Sequence, residues 1–152
     1  MAKSDRLIPP DHILLDSGAG SKRALITELA SVLPAMDPDP VLEVVMAREQ
    51  LGSTGIGNGV AIPHGRLTDL SEPVLALARH KGGIDFDAID GKPVHIAIML
   101  LVPQEAERGH LELLAHLART LQQEHVRREI MEAETAEQIS RIFSTMPRSV
   151  VA

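Results

Sequence analysis

The run Val94-His95-Ile96-Ala97-Ile98-Met99-Leu100-Leu101-Val102 limits the possible folds of this chain more than any other stretch. A strand with one wet face alternates apolar and polar residues, whereas a near-continuous apolar run belongs to a strand covered on both sides. Ile96 to Val102 falls far short of the roughly 20 residues that cross a bilayer, so the run reads as the central strand of a water-surrounded sheet, ended by Pro103. Helical patterns stand on either side of it. Leu25, Ile26, Leu29, Ala30 and Leu33 share one face behind the cap candidate Ser21, which predicts a helix over Lys22–Leu33. The segment Asp37-Pro38-Asp39-Pro40 is a start signal, with Asp39 as cap and Pro40 at the first helical position, for a helix running to about Gln50 and ending at Gly52.

Beyond the run, Leu111, Leu114, Leu117, Ala118 and Leu121 form a helical face from His110 onward. Val126 and Ile130 indicate a further short helix, and Thr135 with Gln138 makes a capping box before Ile139, Ile142 and Phe143. Val60 to Ile62 predicts a short strand closed by Pro63, with His64 and Gly65 where the backbone leaves the sheet. Pro73 to Arg79 predicts another strand, and the turn candidates Lys81-Gly82-Gly83 and Asp90-Gly91 frame Ile84 to Ile89. Interleaved helices and strands around one buried strand give a single sheet with helices packed on its faces, an α/β (α+β) arrangement. No repeat or change of composition divides the 152 residues, so one domain is expected, with an ordered core over about 8–145 and a disordered tail from Pro147.

Composition removes several classes of function. Asp and Glu number 21 against 15 Lys and Arg, and a net charge of -6 has the wrong sign for a nucleic-acid backbone. Phe86 and Phe143 are the only aromatic residues, too few for stacking on bases or sugars. The absence of cysteine removes disulfides, thiolate chemistry and cysteine metal sites. The polar opening segment lacks the apolar stretch of a signal peptide, so a cytoplasmic protein without membrane insertion is expected.

The segment Gly52-Ser53-Thr54-Gly55-Ile56-Gly57-Asn58-Gly59 holds four glycines and two hydroxyls in eight residues and reads as a loop. It fails the dinucleotide fingerprint, because Val60 stands where the third glycine is needed, and the P-loop, because Asn58 replaces the lysine. It also runs from helix to strand, the reverse of both motifs. Glycine backbone N–H groups with Ser53 and Thr54 nevertheless suit a phosphate-sized anion, and the segment leads straight to His64. Near pH 7 most imidazole is neutral, and one ring nitrogen carries a lone pair able to attack phosphorus. Phosphoryl transfer then needs positioning and charge neutralisation. Arg48, on the helix feeding the loop, offers a planar fork for phosphate oxygens, and His110 would add a donor at a helix start. His12, His80, His116 and His125 have no comparable neighbours, and His95 reads as a satisfied buried or edge histidine. Arg127-Arg128-Glu129 with Glu132 and Glu134 reads as a solvated helix face, and no metal-binding spacing occurs.

The stretch Arg48-Glu49-Gln50-Leu51-Gly52-Ser53-Thr54-Gly55-Ile56-Gly57-Asn58-Gly59-Val60-Ala61-Ile62-Pro63-His64-Gly65-Arg66, with His110-Leu111-Glu112-Leu113-Leu114, resembles the active-site signature of a known family. That family is the enzyme IIA domains of the phosphoenolpyruvate-dependent sugar phosphotransferase system, fructose/mannitol class, and the likeness is greatest to its nitrogen-regulatory branch. The resemblance spans about Ile8 to Phe143. It implies a mixed sheet flanked by helices on both faces, as in the mannitol-type domains. It implies His64 as phosphoacceptor with Arg48 and His110 supporting the phosphoryl group, in a loop of Ser53, Thr54, Gly57, Asn58 and Gly59. A histidine-containing phosphocarrier protein is the implied donor, a regulated target protein or a IIB domain the acceptor, and no cofactor is involved. A transport subunit serving a sugar permease, and a binding module whose histidine never turns over, are the alternatives.

Overall fold

The computed structural model describes residues 7–105 and 108–144, and for Arg108–His110 the backbone alone. The expected tail from Pro147 lies outside the described residues. A 3-10 turn Pro10–His12 leads into β1 (Ile13–Leu14), followed by α1 (Lys22–Ser31) and α2 (Pro38–Leu51). Then come β2 (Gly55–Gly57), β3 (Val60–Ala61), β4 (His64–Leu67), β5 (Val74–Ile84), β6 (Val94–Pro103), α3 (Arg108–Leu121), α4 (Glu124–Glu132) and α5 (Ala136–Ile142). The sheet order is β1-β5-β6-β3-β2, with β4 also on β6. Pairing is antiparallel for β5/β6 and β2/β3 and parallel for β1/β5, β3/β6 and β4/β6, so the sheet is mixed.

The apolar run does what its pattern requires. Ile96, Ile98, Leu100 and Val102 point into a core shared with Leu113, Leu117, Leu121, Ile130 and Phe143 of the α3–α5 layer. The alternate residues Ala97, Met99 and Leu101 face Leu25, Ile26, Leu29, Val41 and Val45 of α1 and α2. Both faces of the strand are therefore buried, as a period of two demands. Caps fix the helix starts: Ser21 accepts from the Ala24 N–H, and Thr135 with Gln138 forms the expected capping box.

Four local expectations are corrected, and one strand is added. First, α2 begins two residues early, capped by Asp37, whose carboxylate accepts from the Asp39 N–H, with Pro38 at the first position. Both Asp-Pro pairs carry the same signal, and the upstream one captures the helix. Second, the glycine segment is not all loop, because Gly55–Gly57 pairs with β3 across an Asn58-Gly59 turn. The φ values of 59° and 80° at these two residues match the left-handed turn that Asn-Gly favours in hairpins. Third, the chain does not leave the sheet at His64; β3 and β4 follow one another along the same edge of β6. Pro63 lacks an N–H and interrupts the ladder between them, while its carbonyl still accepts from Leu100 at 2.9 Å. Fourth, Lys81-Gly82-Gly83 is no turn but an irregularity inside β5, where the register against β6 slips between Arg79 and Ile84. The added strand is β1, whose two residues carry no periodicity.

Arg79 ties the segment after β1 to the end of α4. Only 2% exposed, it donates to Leu15 O at 3.0 Å, and its Nη1 reaches Ile130 O and Ala133 O at 3.0 and 2.7 Å at the end of α4. The guanidinium satisfies the orphan carbonyls at the end of α4, and its charge is met by Asp16, whose Oδ1 lies 3.5 Å from Nη2.

Candidate active site

His64 opens β4 opposite Leu100 of the central strand. Alternation then sends neighbouring residues to opposite faces. A Cβ on Gly65 would lie 3.0 Å from Val44 Cγ2 of α2, so glycine lets that helix close on the strand. The imidazole, on the other face, lines a cavity of about 290 Å³ with Arg48, Ser53, Thr54, Ile56, Ile62 and the α3 residues Leu114, Ala115 and Ala118. His64 is half-buried there, and its Nδ1 lies 2.9 Å from Ile62 O. A carbonyl oxygen only accepts, so this bond holds when Nδ1 carries the proton, which in the neutral ring assigns the lone pair to Nε2. Burial lowers the His64 pKa below its ordinary 6.5, the Ile62 bond opposes it, and the Arg48 charge adds to the lowering against Glu49. The ring is thus held neutral near pH 7, oriented, and beside a cation.

Arg48 reaches the cavity from the last turn of α2 and donates through Nη1 to Gly52 O at 2.9 Å. The next residue, Glu49, points inward and is 4% exposed. Its carboxylate accepts from the Thr54 N–H at 2.9 Å and the Thr54 hydroxyl at 2.6 Å, and Lys22 Nζ of α1 lies 3.1 Å from Oε2. Lys22 also stands 5.1 Å above the Phe86 ring centre. Ser53 donates its hydroxyl proton to Phe86 O and accepts from the Gly55 N–H. The hydroxyl protons of Ser53 and Thr54, read from the sequence as phosphate donors, are therefore directed at protein acceptors.

Of the residues singled out in the sequence, the cavity brings together His64, Arg48, Ser53 and Thr54. Gly57, Asn58 and Gly59 are not among its lining; they form the hairpin tip, where the Asn58 N–H donates to Asp90 and its side chain to Gln122. His110 belongs to the first turn of α3, one turn before Leu114, and its side chain lies outside the described residues. Sequence reasoning passed over Glu49 and Lys22. A local signal existed, because a carboxylate in the last turn of a helix faces the negative end of the dipole and needs a tertiary reason to be there. Among the described residues no group of His, Asp and Glu could hold a metal ion, and no helix is long and apolar enough to cross a membrane.

Residues 6–146 match the model of the family "Phosphoenolpyruvate-dependent sugar phosphotransferase system, EIIA 2". The chain belongs to this EIIA type-2 family. A nitrogen regulatory protein from Pseudomonas aeruginosa is 39% identical to it over 146 residues, covering 93% of this chain and 95% of the relative. A fructose-specific EIIA component from Haloferax volcanii is 39% identical over 108 residues, 71% of this chain and 70% of that one. The crystal structure of the nitrogen regulatory protein IIA-Ntr from Neisseria meningitidis superposes with a TM-score of 0.85 at 41% identity, covering 90% of this chain and 96% of that structure. Membership of the EIIA family implies a transferase-type role in phosphoryl transfer through a histidine, and the mixed sheet and helical layers are those of the family.

Proposed function

We propose that this EIIA domain accepts a phosphoryl group on Nε2 of His64 from a histidine-containing phosphocarrier protein, and that its phosphorylation state regulates a target protein in the cytoplasm. The observation that carries this reading is the Nδ1 bond to Ile62 O beside Arg48 in one cavity. Attack by Nε2 on phosphorus breaks the bond to the donor's imidazole and returns the electron pair to it. Arg48 leaves Gly52 O to meet the phosphoryl oxygens, because a dianion binds a guanidinium more strongly than a carbonyl does. His110 adds a donor from α3, and Ser53 and Thr54 shape the wall through their own bonds. The chain thereby acts as a phosphotransferase-type carrier.

Delivery by protein partners is supported by the surroundings of the cavity. Leu51, Ile89 and Leu111 are 85%, 85% and 65% exposed. Leu51 precedes Gly52, the Ile89 N–H donates to Gly55 O, and Leu111 lies one turn before Ala115 on α3. Large apolar side chains left in water around a reactive group suit transient docking. The regulatory reading rests on the two nitrogen-regulatory relatives over nearly the whole chain. The fructose-specific relative favours a second reading, in which phosphate passes to a IIB domain.

Incubation with a phosphorylated carrier protein followed by intact mass measurement tests the proposal. The wild-type chain gains one phosphoryl group and His64→Ala gains none; labelling that persists without His64 moves the acceptor elsewhere, and a wild type that stays unlabelled reduces the chain to a binding module. Adding a IIB domain to the labelled chain then separates the two readings, since a regulator keeps its label while a transport subunit loses it.

A further inference from the structure

The hairpin tip borders a second hollow, separate from the His64 cavity. Asn58 and Gly59 line it together with Lys81 of β5, His95 of β6 and Arg127 and Arg128 of α4, around about 410 Å³. It adjoins a smaller hollow of about 300 Å³ that shares Asn58, Gly59, His95 and Arg127 and adds Lys92. Four of the 15 Lys and Arg residues converge here in a chain of net charge -6. The single carboxylate in the lining, Glu124, stands 3.9 Å from Arg128. The neighbouring Asp90 carboxylate accepts from the N–H groups of Asn58 and Lys92 at 2.9 and 3.1 Å. The hollow is thus a local reversal of the molecule's sign.

It is also built rather than merely charged. Arg127 Nη1 donates to Leu121 O and Gln122 O at 2.9 and 2.8 Å, which fixes the guanidinium plane on the end of α3. His95 donates from Nδ1 to His80 O at 3.0 Å, and two glycines lie against its ring, Gly83 the more tightly. A Cβ on Gly59 would lie 3.4 Å from His95 Cδ2, and one on Gly83 3.0 Å from Cε1. Both glycines have positive φ, 80° and 89°, so side chains are absent where the backbone closes on the imidazole. Ile96, Met131 and Pro93 supply an apolar floor. Converging cations over an apolar floor, at a volume within the range of small-molecule sites, describe a pocket for a compact ligand.

We infer that this hollow binds a small polyanion of the phosphate class, of the size of a diphosphate or a phosphorylated metabolite. This site is distinct from the phosphoryl-accepting cavity and does not depend on it. The test is titration of the isotopically labelled full chain with inorganic pyrophosphate at constant ionic strength, followed by amide NMR. The expected result is saturable shifts at Asn58, Gly59, Lys81, His95 and Arg128, still present in His64→Ala. Lys81→Gln combined with Arg128→Gln should weaken them by about fivefold or more, as loss of charge-assisted bonds requires. Arg127 is left intact because it caps α3. Shifts that never saturate, or that centre on His64 and Arg48 and vanish with Arg48→Ala, overturn the inference. So does saturable binding by an acidic peptide where pyrophosphate has no effect, which would make the hollow a protein-docking surface.

Discussion

The two halves of the segment 52–59 are built by different means. Ser53 to Gly55 is fixed by side chains: Glu49 holds both the N–H and the hydroxyl of Thr54, and Ser53 bridges Phe86 and Gly55. Gly57 to Gly59 turns through positive φ at all three residues, with the Asp90 carboxylate holding the Asn58 N–H. The first half walls the cavity of His64, and the second turns away into the basic hollow. The difference teaches that glycine richness by itself does not mark the wall of the histidine cavity. A buried carboxylate on the preceding helix holds the wall beside the histidine.

The strongest way to break this comparison is Glu49→Ala. It leaves two Thr54 donors unsatisfied and Lys22 without its buried partner, and the expected loss is about 3 kcal/mol of stability in urea unfolding. A loss below about 1 kcal/mol would mean that the wall stands without its carboxylate. Arg48→Ala should leave unfolding nearly unchanged and slow phosphoryl acceptance by about ten- to a hundredfold, from charge-assisted bonds of about 1.5–3 kcal/mol; rapid-quench kinetics with a phosphorylated carrier reads this directly. A pair of glycine substitutions sharpens the contrast. Gly55→Ala sets a Cβ 2.8 Å from Ala88 Cβ and 3.0 Å from its Cα, and should destabilise by about 1–3 kcal/mol through overpacking. Gly59→Ala meets only ordinary contacts and should lose about 1 kcal/mol to its left-handed φ.

The smallest effect concerns pH. Because burial first, and Arg48 after it, favours the neutral ring, the His64 titration followed by NMR should have its midpoint below 6.5, and Arg48→Ala should raise that midpoint. The depressed value contributes no penalty well above pH 6.5, where both folded and unfolded rings are neutral. Below it the unfolded chain takes up the proton first, so stability falls as pH drops through the folded value. A midpoint at or above 6.5 would remove the argument that the fold holds His64 in its nucleophilic form.

The layered fold was legible because the central strand announces itself. Every residue from Ile96 to Val102 is apolar, and a strand buried on both faces needs a helical layer on each. The capping residues Ser21 and Thr135 were equally plain, since their bonds are made within three residues. The candidate site was legible as a constellation of Arg48, Ser53, Thr54 and His64 around one segment. The hairpin within that segment was overlooked although Asn58-Gly59 is a strong turn signal, because the glycine count concealed a strand of Gly55, Ile56 and Gly57. The β5 irregularity is not legible, because Lys81-Gly82-Gly83 looks the same as a turn or as a slip inside a strand.

By itself the sequence determined which residues are apolar, where helices begin, and that a histidine follows a glycine-rich segment on the heels of an arginine. These are matters of period and near neighbours, settled within a few residues. Only the tertiary structure decided that His64 stays in the sheet and turns toward α3, that Glu49 rather than glycine secures the wall beside it, and that Lys81, His95 and Arg127 share a hollow. Each depends on strands and helices far apart in the chain, and which of them meet is fixed by how they bury one another's faces, a matter of partner and register that no local pattern encodes.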